Sequence, residues 1–565
     1  MSFGACRQLT APVFFGMIAA ACGGTTPSSA GSDGSTWNDG GSGGSGGSAS
    51  DASAFGASPD AGGSGVGAAT GGAAGSGSSS GAGGSGASVE GGAASSDGTG
   101  DSGGSSGVGG SGGSRDAGGA ASSGGSADAA GSGDAAGTGG AGGSGAGDAG
   151  GSAGAGDAGG SGGSADAGGS GGKGTLLATG DSRTVTQPSN PAVCATLLAQ
   201  FSTTQRSSPP GSDDTSRIQS ALDGCAGTGE SVVLAAGGSG NAFFSGTLTM
   251  SGVALVVDTG VTLFGSNGFS GELLSISGAN AGIMGPGTID GRADLIGGTA
   301  RLVQAKNITN FVVYNVTMQN PGKEHLYVEG GNGFTAWNLS VRTPANTKNT
   351  DGIDIDSLTN ATVYGSLIED GDDGVAIKTN SAAAANITIK NNTFHGTHGM
   401  SIGSQTFDGI TNVLWEDNTV YATDEWGNGS TDNNGIRIKT DPTCGGTVRQ
   451  VTYLDTCMTG VKHLLVFDTS YGTCSGTSGT PYFTDIVVNG LYSTASTSGA
   501  YSEFEGYGAA YPLGLMLENV QLDVTSQENS QYATVRLYDS NITPSGTGVM
   551  TSSLSGTGAV PTCSF

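Results

Sequence analysis

The chain has 565 residues, 113 of them glycine, and a formal net charge of −28. That acidity argues against nucleic acid and anionic surfaces as partners, and it makes any local group of cations informative. The glycines crowd into the first third, so the length does not describe one folded mass.

Arg7 precedes an apolar run, Ala11 to Ala21, that ends in AAAC at Cys22. The run is too short and too weakly apolar for a settled membrane span and reads as an export signal over residues 1–22. It resembles a bacterial lipoprotein signal, in which Cys22 becomes the lipidated first residue of an outward-facing outer-membrane protein. Ala19 stands where such signals more often carry Leu, which leaves ordinary cleavage and secretion open. Residues 23–173 are almost entirely Gly, Ser, Ala and Asp. So little apolar surface cannot offset the entropy of ordering the backbone, and a disordered tether is expected. Its root-mean-square span would be roughly 60–75 Å.

Residues 174–565 are long enough for a substantial core. They hold Cys194, Cys225, Cys444, Cys457, Cys474 and Cys563, which in an exported chain allow up to three disulfides. Cys194 with Cys225 is a plausible local pair, and the others are unassigned. No C-x-x-C spacing occurs, so neither a metal nor a cofactor is expected. In DDTSRIQSALDGC, the helical spacing of Ile218, Ala221, Leu222 and Cys225 predicts an amphipathic helix. Then come short β-rich runs, SVVLAAG and GVALVVDTGVTLFGS, punctuated by glycine. Farther on, Val313, Trp337, Val363, Ile389 and Leu414 recur about every 25 residues inside similar strings rich in Asn.

A period in the twenties with several short β-runs per repeat marks a β-solenoid. A leucine-rich repeat would need a Leu framework absent here, and a sandwich would not repeat one motif in one frame. The opening helix is expected to cap one end of the solenoid. Stacked Asn side chains are expected to bond between coils at the turns.

The string NTDGIDIDS returns as GDDGVAIKT, THGMSIGSQ and NNGIRIKT. Aligning Gly352, Gly374, Gly399 and Gly435 places apolar residues in two columns: Ile353/Ile355, Val375/Ile377, Met400/Ile402 and Ile436/Ile438. Adjacent parallel strands lie about 4.8 Å apart. Asp351, Asp373 and His398 then share one strand-entry position, with Asp372 beside Asp373. Arg437 and Lys439 alternate with the isoleucines and face outward together. Carboxylates so close repel one another, which raises at least one pKa. A protonated acid beside ionised carboxylates is what glycosidic hydrolysis requires. The two cations suit the carboxylate of an acidic sugar.

Each residue alone has a plainer reading, because an isolated Asp in a turn commonly caps backbone amides. Asp354 and Asp356 are expected on a solvated face, at a metal position or in a groove. Lys378 either extends the basic patch or pairs with Asp356. His325 would border a neighbouring sugar subsite. His395 and His463 carry no such argument and read as structural or surface residues. The loop from Asp424 to Asp432 would shape one end of the groove.

The four elements Asn349-Thr350-Asp351, Asp372-Asp373, His398-Gly399 and Arg437-Ile438-Lys439 resemble the pattern of the polygalacturonases, glycoside hydrolase family 28. GTIDGR at 287–292 is similar too, and the likeness runs over most of 200–480. The resemblance implies an all-β fold, a right-handed single-stranded parallel β-helix with a short N-terminal capping helix. It also implies inverting hydrolysis of α-1,4-linked galacturonan in pectin. By motif, Asp372 would be the general acid, and Asp351 and Asp373 would activate water. His398 would maintain the acid's protonation. Arg437 and Lys439 would bind a galacturonate carboxylate, Asn349 would assist, and Tyr471 in FDTSY would border the sugar. The departures are Gly374, where many relatives carry Cys, and THG in place of GHG. The implied protein is a monomer acting on homogalacturonan, endo rather than exo. Three alternatives stay open: a hydrolase of rhamnogalacturonan or substituted galacturonan, a Ca²⁺-dependent lyase, and a non-catalytic pectin-binding β-helix.

Overall fold

A short strand with one apolar face cannot bury that face alone, and here each strand is covered by its copy on the next coil. The computed structural model describes residues 177–472 and 479–565. The export signal, the tether and Cys474 lie outside the described residues. Among those described, 30 strands pair into one continuous sheet wound as a right-handed parallel β-helix.

The glycine-aligned motifs stack as consecutive coils. Ile353 pairs with Val375, Val375 with Met400, and Met400 with Ile436. Ile355, Ile377, Ile402 and Ile438 form the second column in the same order. Leu465 and Phe467 extend both columns by another coil. All of these side chains are buried. The outward positions between them therefore also stack, and they build the site.

On a second face the inward column is Val313, Ala336, Val363, Ile389, Trp415 and Tyr453. Trp337 and Leu414 do not belong to it. Trp337 pairs with Tyr364 and stacks on its ring at 4.1 Å, while Leu414 pairs with Thr388. Coil lengths differ, so a constant step drifts by one residue, and one residue reverses the face.

Asparagine does bond between coils. Asn360, Asn386 and Asn412 turn the chain at φ of 58°, 59° and 59°. Asn412 donates to Asn386 at 2.8 Å, and Asn360 donates to Asn332 at 2.9 Å. At another corner, buried Asn392 and Asn418 satisfy backbone groups of the neighbouring coils.

The helix Thr215–Cys225 buries Ile218, Leu222 and Cys225 against the first strands, with Ala221 half-buried. A disulfide from Cys225 to Cys194 fixes it to the strand Val193–Leu198. Cys457 bonds to Cys563, tying down the C-terminal segment, and Cys444 is also in a disulfide. Ahead of the first strand, residues 178–183 run back across the second face from later coils to earlier ones. Ala178 donates its N–H to Thr452, Asp181 to Thr388, and Arg183 reaches the Phe334 carbonyl. Nothing in the sequence marks this strap.

Ile377 sits in the middle of the inward stack, and an unpaired carboxylate there has no partner. Ile377→Asp should cost at least about 3 kcal/mol and abolish a single cooperative melting transition followed by circular dichroism. A variant that melts cooperatively near the parent temperature would refute the inward assignment.

Candidate active site

The turns that deliver Asp351, Asp373 and His398 pass so close that their glycines have no room for a side chain. A Cβ on Gly352 would collide with the Gly374 carbonyl. Gly399 stands at φ 89°, with the Asn434 carbonyl where its Cβ would be. At Gly374 the Phe394 ring fills the space that a Cβ would need.

Asp372 and His398 meet at 2.8 Å through Oδ1 and Nδ1. Their side chains are 22% and 15% exposed, so this pair is the accessible part of the acidic cluster. The backbone holds the two together, since the His398 N–H donates to the Asp372 carbonyl at 2.6 Å. Asp373 lies deeper. Lys439 Nζ approaches its two oxygens at 2.9 and 3.2 Å, Ser401 donates from Oγ at 2.6 Å, and Arg437 Nη1 stands 4.0 Å away. Burial alone would raise the Asp373 pKa, but Lys439, then Arg437 and His398, hold it well below the usual carboxylate range. Asp351 moves the other way. Burial raises it, Lys378 at 3.2 Å opposes, and the charges of Asp372 and Asp373 add to the rise. The repulsion expected from the stacked motifs thus falls on Asp351, while Asp373 stays ionised.

Arg437 and Lys439 do face outward, but they are not open to solvent, each being 4% exposed. The Tyr471 ring lies over both, 4.9 Å from the guanidinium carbon and 4.9 Å from the ammonium nitrogen. Arg437 is held by Asp432 at 2.8 Å, while its Nε and Nη1 make no hydrogen bond. Asn349 is exposed in the turn just before Asp351.

Several sequence expectations change. His325 cannot border a sugar: it is fully buried, with Nδ1 at 3.1 Å from the Asp351 carbonyl and Nε2 at 2.8 Å from Thr343. Burial lowers its pKa to about 4. It supports the Asp351 backbone instead. Asp354 and Asp356 point outward in register yet are also fully buried. Neighbouring side chains and turns close over them. Lys378 joins Asp354 at 2.8 Å as well as Asp351, rather than Asp356. Asp356 accepts from Tyr327, Ser357 and Asn380. His463 is no bystander, for its Nδ1 is 3.0 Å from Asp432. His395 is structural, stacked on Tyr421 at 4.4 Å. The loop from Asp424 is pinned beside the cluster, Asp424 accepting from the N–H groups of Ala345, Trp426 and Asn428.

Sequence reasoning missed Ser401, Asp370, Asp432 and His463. Ser401 was readable, because it occupies the outward position in register with Arg437. Asp370 and Asp432 meet the site through turns and loops, which leave no periodic signal, and His463 opens the strand of the following coil.

The family model for glycosyl hydrolases family 28 matches residues 233–541. An endo-polygalacturonase of Pectobacterium carotovorum subsp. carotovorum is 36% identical over 400 residues, covering 63% of this chain and 93% of that protein. A polygalacturonase of Ralstonia solanacearum is 33% identical over 501 residues, with coverage of 68% and 93%. Among solved structures, the polygalacturonase from Erwinia carotovora ssp. carotovora matches with a TM-score of 0.55 and 34% identity, over 63% of this chain and 99% of that one.

Asp370 gives a test of the electrostatics. It is fully buried, and its Oδ2 makes no hydrogen bond. Burial raises its pKa well above the ordinary value against the Asp372 N–H that donates to it, and Asp351, Asp372 and Asp373 raise it further. The folded state therefore holds a proton that the unfolded chain releases above about pH 3.9. Stability from this group is complete below that pH and declines as pH rises. Asn keeps the acceptor without the proton. Asp370→Asn should gain a few degrees of Tm on the parent between pH 4 and pH 7; a gap constant with pH would contradict this.

Proposed function

The chain belongs to glycosyl hydrolase family 28, and on that premise we propose how it cleaves its substrate. It is a polygalacturonase. The bond broken is the α-1,4 linkage between galacturonate units of pectin, with inversion at the anomeric carbon. Asp372 is the general acid, giving its proton to the departing glycosidic oxygen. Water attacks from the opposite face and loses a proton to the carboxylates of Asp351 and Asp373. His398, in contact with Asp372, shares and restores the acid's proton. Arg437 and Lys439 bind a galacturonate carboxylate beside the scissile bond, Tyr471 borders that sugar, and Asn349 assists from the rim.

One observation carries this reading. Asp373 is fixed as an anion by Lys439 and Ser401, immediately beside the accessible Asp372–His398 pair. An ionised base next to an acid with its own proton partner is the arrangement that acid–base hydrolysis needs. Endo action is favoured by the endo-polygalacturonases among the relatives. A rhamnogalacturonan hydrolase or a non-catalytic binder fits less well, since every acidic and basic element of the pattern is retained.

We also read the chain as exported and monomeric, with Cys22 lipidated and residues 23–173 a tether to the outer surface. No helix among the described residues is long and apolar enough to cross a membrane. Globomycin-sensitive labelling of Cys22 with palmitate is the expected result; an unlabelled mature protein would leave simple secretion.

The purified protein should release reducing ends from polygalacturonate without ultraviolet-absorbing unsaturated products. Asp372→Asn should lower kcat by at least about 100-fold, measured on the same polymer. Cleavage at the parental rate would mean that the acid is another group. Arg437→Ala should mainly raise KM, whereas Lys439→Ala also removes the charge that keeps Asp373 ionised and should lower kcat as well; equal activity on neutral and acidic glycans would remove their assigned role.

A further inference from the structure

The two cations of the clamp are held by two different anions, and only one of those takes part in the chemistry. Lys439 rests on Asp373, a member of the acidic cluster. Arg437 rests on Asp432, whose other oxygen is taken by His463 on the following coil. We infer that Asp432 and His463 are positioning residues that fix the Arg437 guanidinium for the substrate carboxylate. The inference rests on the reading of the chain as a polygalacturonase and deepens it.

Both oxygens of Asp432 are engaged, Oδ2 at 2.8 Å from Arg437 Nη2 and Oδ1 at 3.0 Å from His463 Nδ1. A carboxylate held at both ends cannot rotate, and its tie to Nη2 fixes one corner of the guanidinium. Tyr471 covers a face of the same group, its ring centroid 4.9 Å from the guanidinium carbon. A planar group fixed at a corner and on a face keeps one orientation. Nε and Nη1 are buried beneath the Tyr471 ring and make no hydrogen bond, so they would meet a sugar carboxylate once that ring gives way.

His463 is itself held. Its ring packs 4.6 Å from that of Tyr501, and Asn434 Oδ1 lies 3.3 Å from Nδ1. The loop carrying Asp432 is pinned to the wall that bears the acidic cluster, Ser430 donating its N–H to the Gly396 carbonyl. Burial would raise the Asp432 pKa, but the bond from His463 and the charge of Arg437 hold it below the carboxylate range. Asp432 therefore remains an anion while protons move among Asp351, Asp372 and Asp373.

The test uses the whole protein and begins with the parent on polygalacturonate. A parent that releases no reducing ends overturns the polygalacturonase reading, and the pair's role falls with it. With an active parent, Asp432→Ala should raise KM about tenfold with a much smaller change in kcat. His463→Leu should move KM the same way, whereas His463→Asn, which keeps a donor near the place of Nδ1, should stay near the parent. In an Arg437→Ala background, Asp432→Ala should add nothing further, because it acts through that guanidinium. An unchanged KM in Asp432→Ala, a loss confined to kcat, or a full additional loss in the Arg437→Ala background would overturn the inference. Should Asp432→Ala not fold, the His463 pair decides: equal KM values for Leu and Asn are the overturning result.

Discussion

The spacing between coils is the constraint on which the rest of this molecule depends. Parallel strands stand about 4.8 Å apart, and the buried isoleucine columns fix their register to the residue. A shift of one position would turn Arg437 and Lys439 inward and expose Ile436 and Ile438. The apolar stack thus aims the polar chemistry. The glycines at the strand entries belong to the same constraint, since a side chain there would force the coils apart and separate Asp351 from Asp373.

Close stacking also buries charge, and the structure answers with local pairing. Lys378 serves Asp351 and Asp354, Lys439 serves Asp373, and Arg437 serves Asp432. Buried pairs of this kind return little net stability, because desolvation consumes most of their attraction. What they supply is preorganisation. Each group that must be charged when substrate arrives is already held in place by fixed partners, so little reorganisation remains for the reaction. The gradient of accessibility follows the chemistry: Asp373 is locked at depth, and Asp372 with His398 reaches the surface.

How much of this was legible beforehand depends on distance along the chain. The glycine frame, the two apolar columns and the outward direction of Arg437 and Lys439 followed from short repeated strings. Strand alternation is a local rule, so a side chain's face could be read from its neighbours. A constant step of about 25 residues is a weaker guide, since unequal coil lengths set Trp337 and Leu414 one residue out of the column of Val313 and Val363.

Direction is therefore what the sequence by itself determined: which face each side chain takes, which motifs share a column, and which residue types gather at the strand entries. Depth and partnership belonged to the tertiary structure. Asp354 and Asp356 face outward yet are covered, His325 is enclosed on the coil before the cluster, and Arg437 is tied to an aspartate from a loop that is itself held by a histidine from the next coil. Periodicity fixes orientation because it is a property of one strand. Burial and pairing depend on loops of irregular length folding over that strand, and no repeat encodes where those loops come to rest.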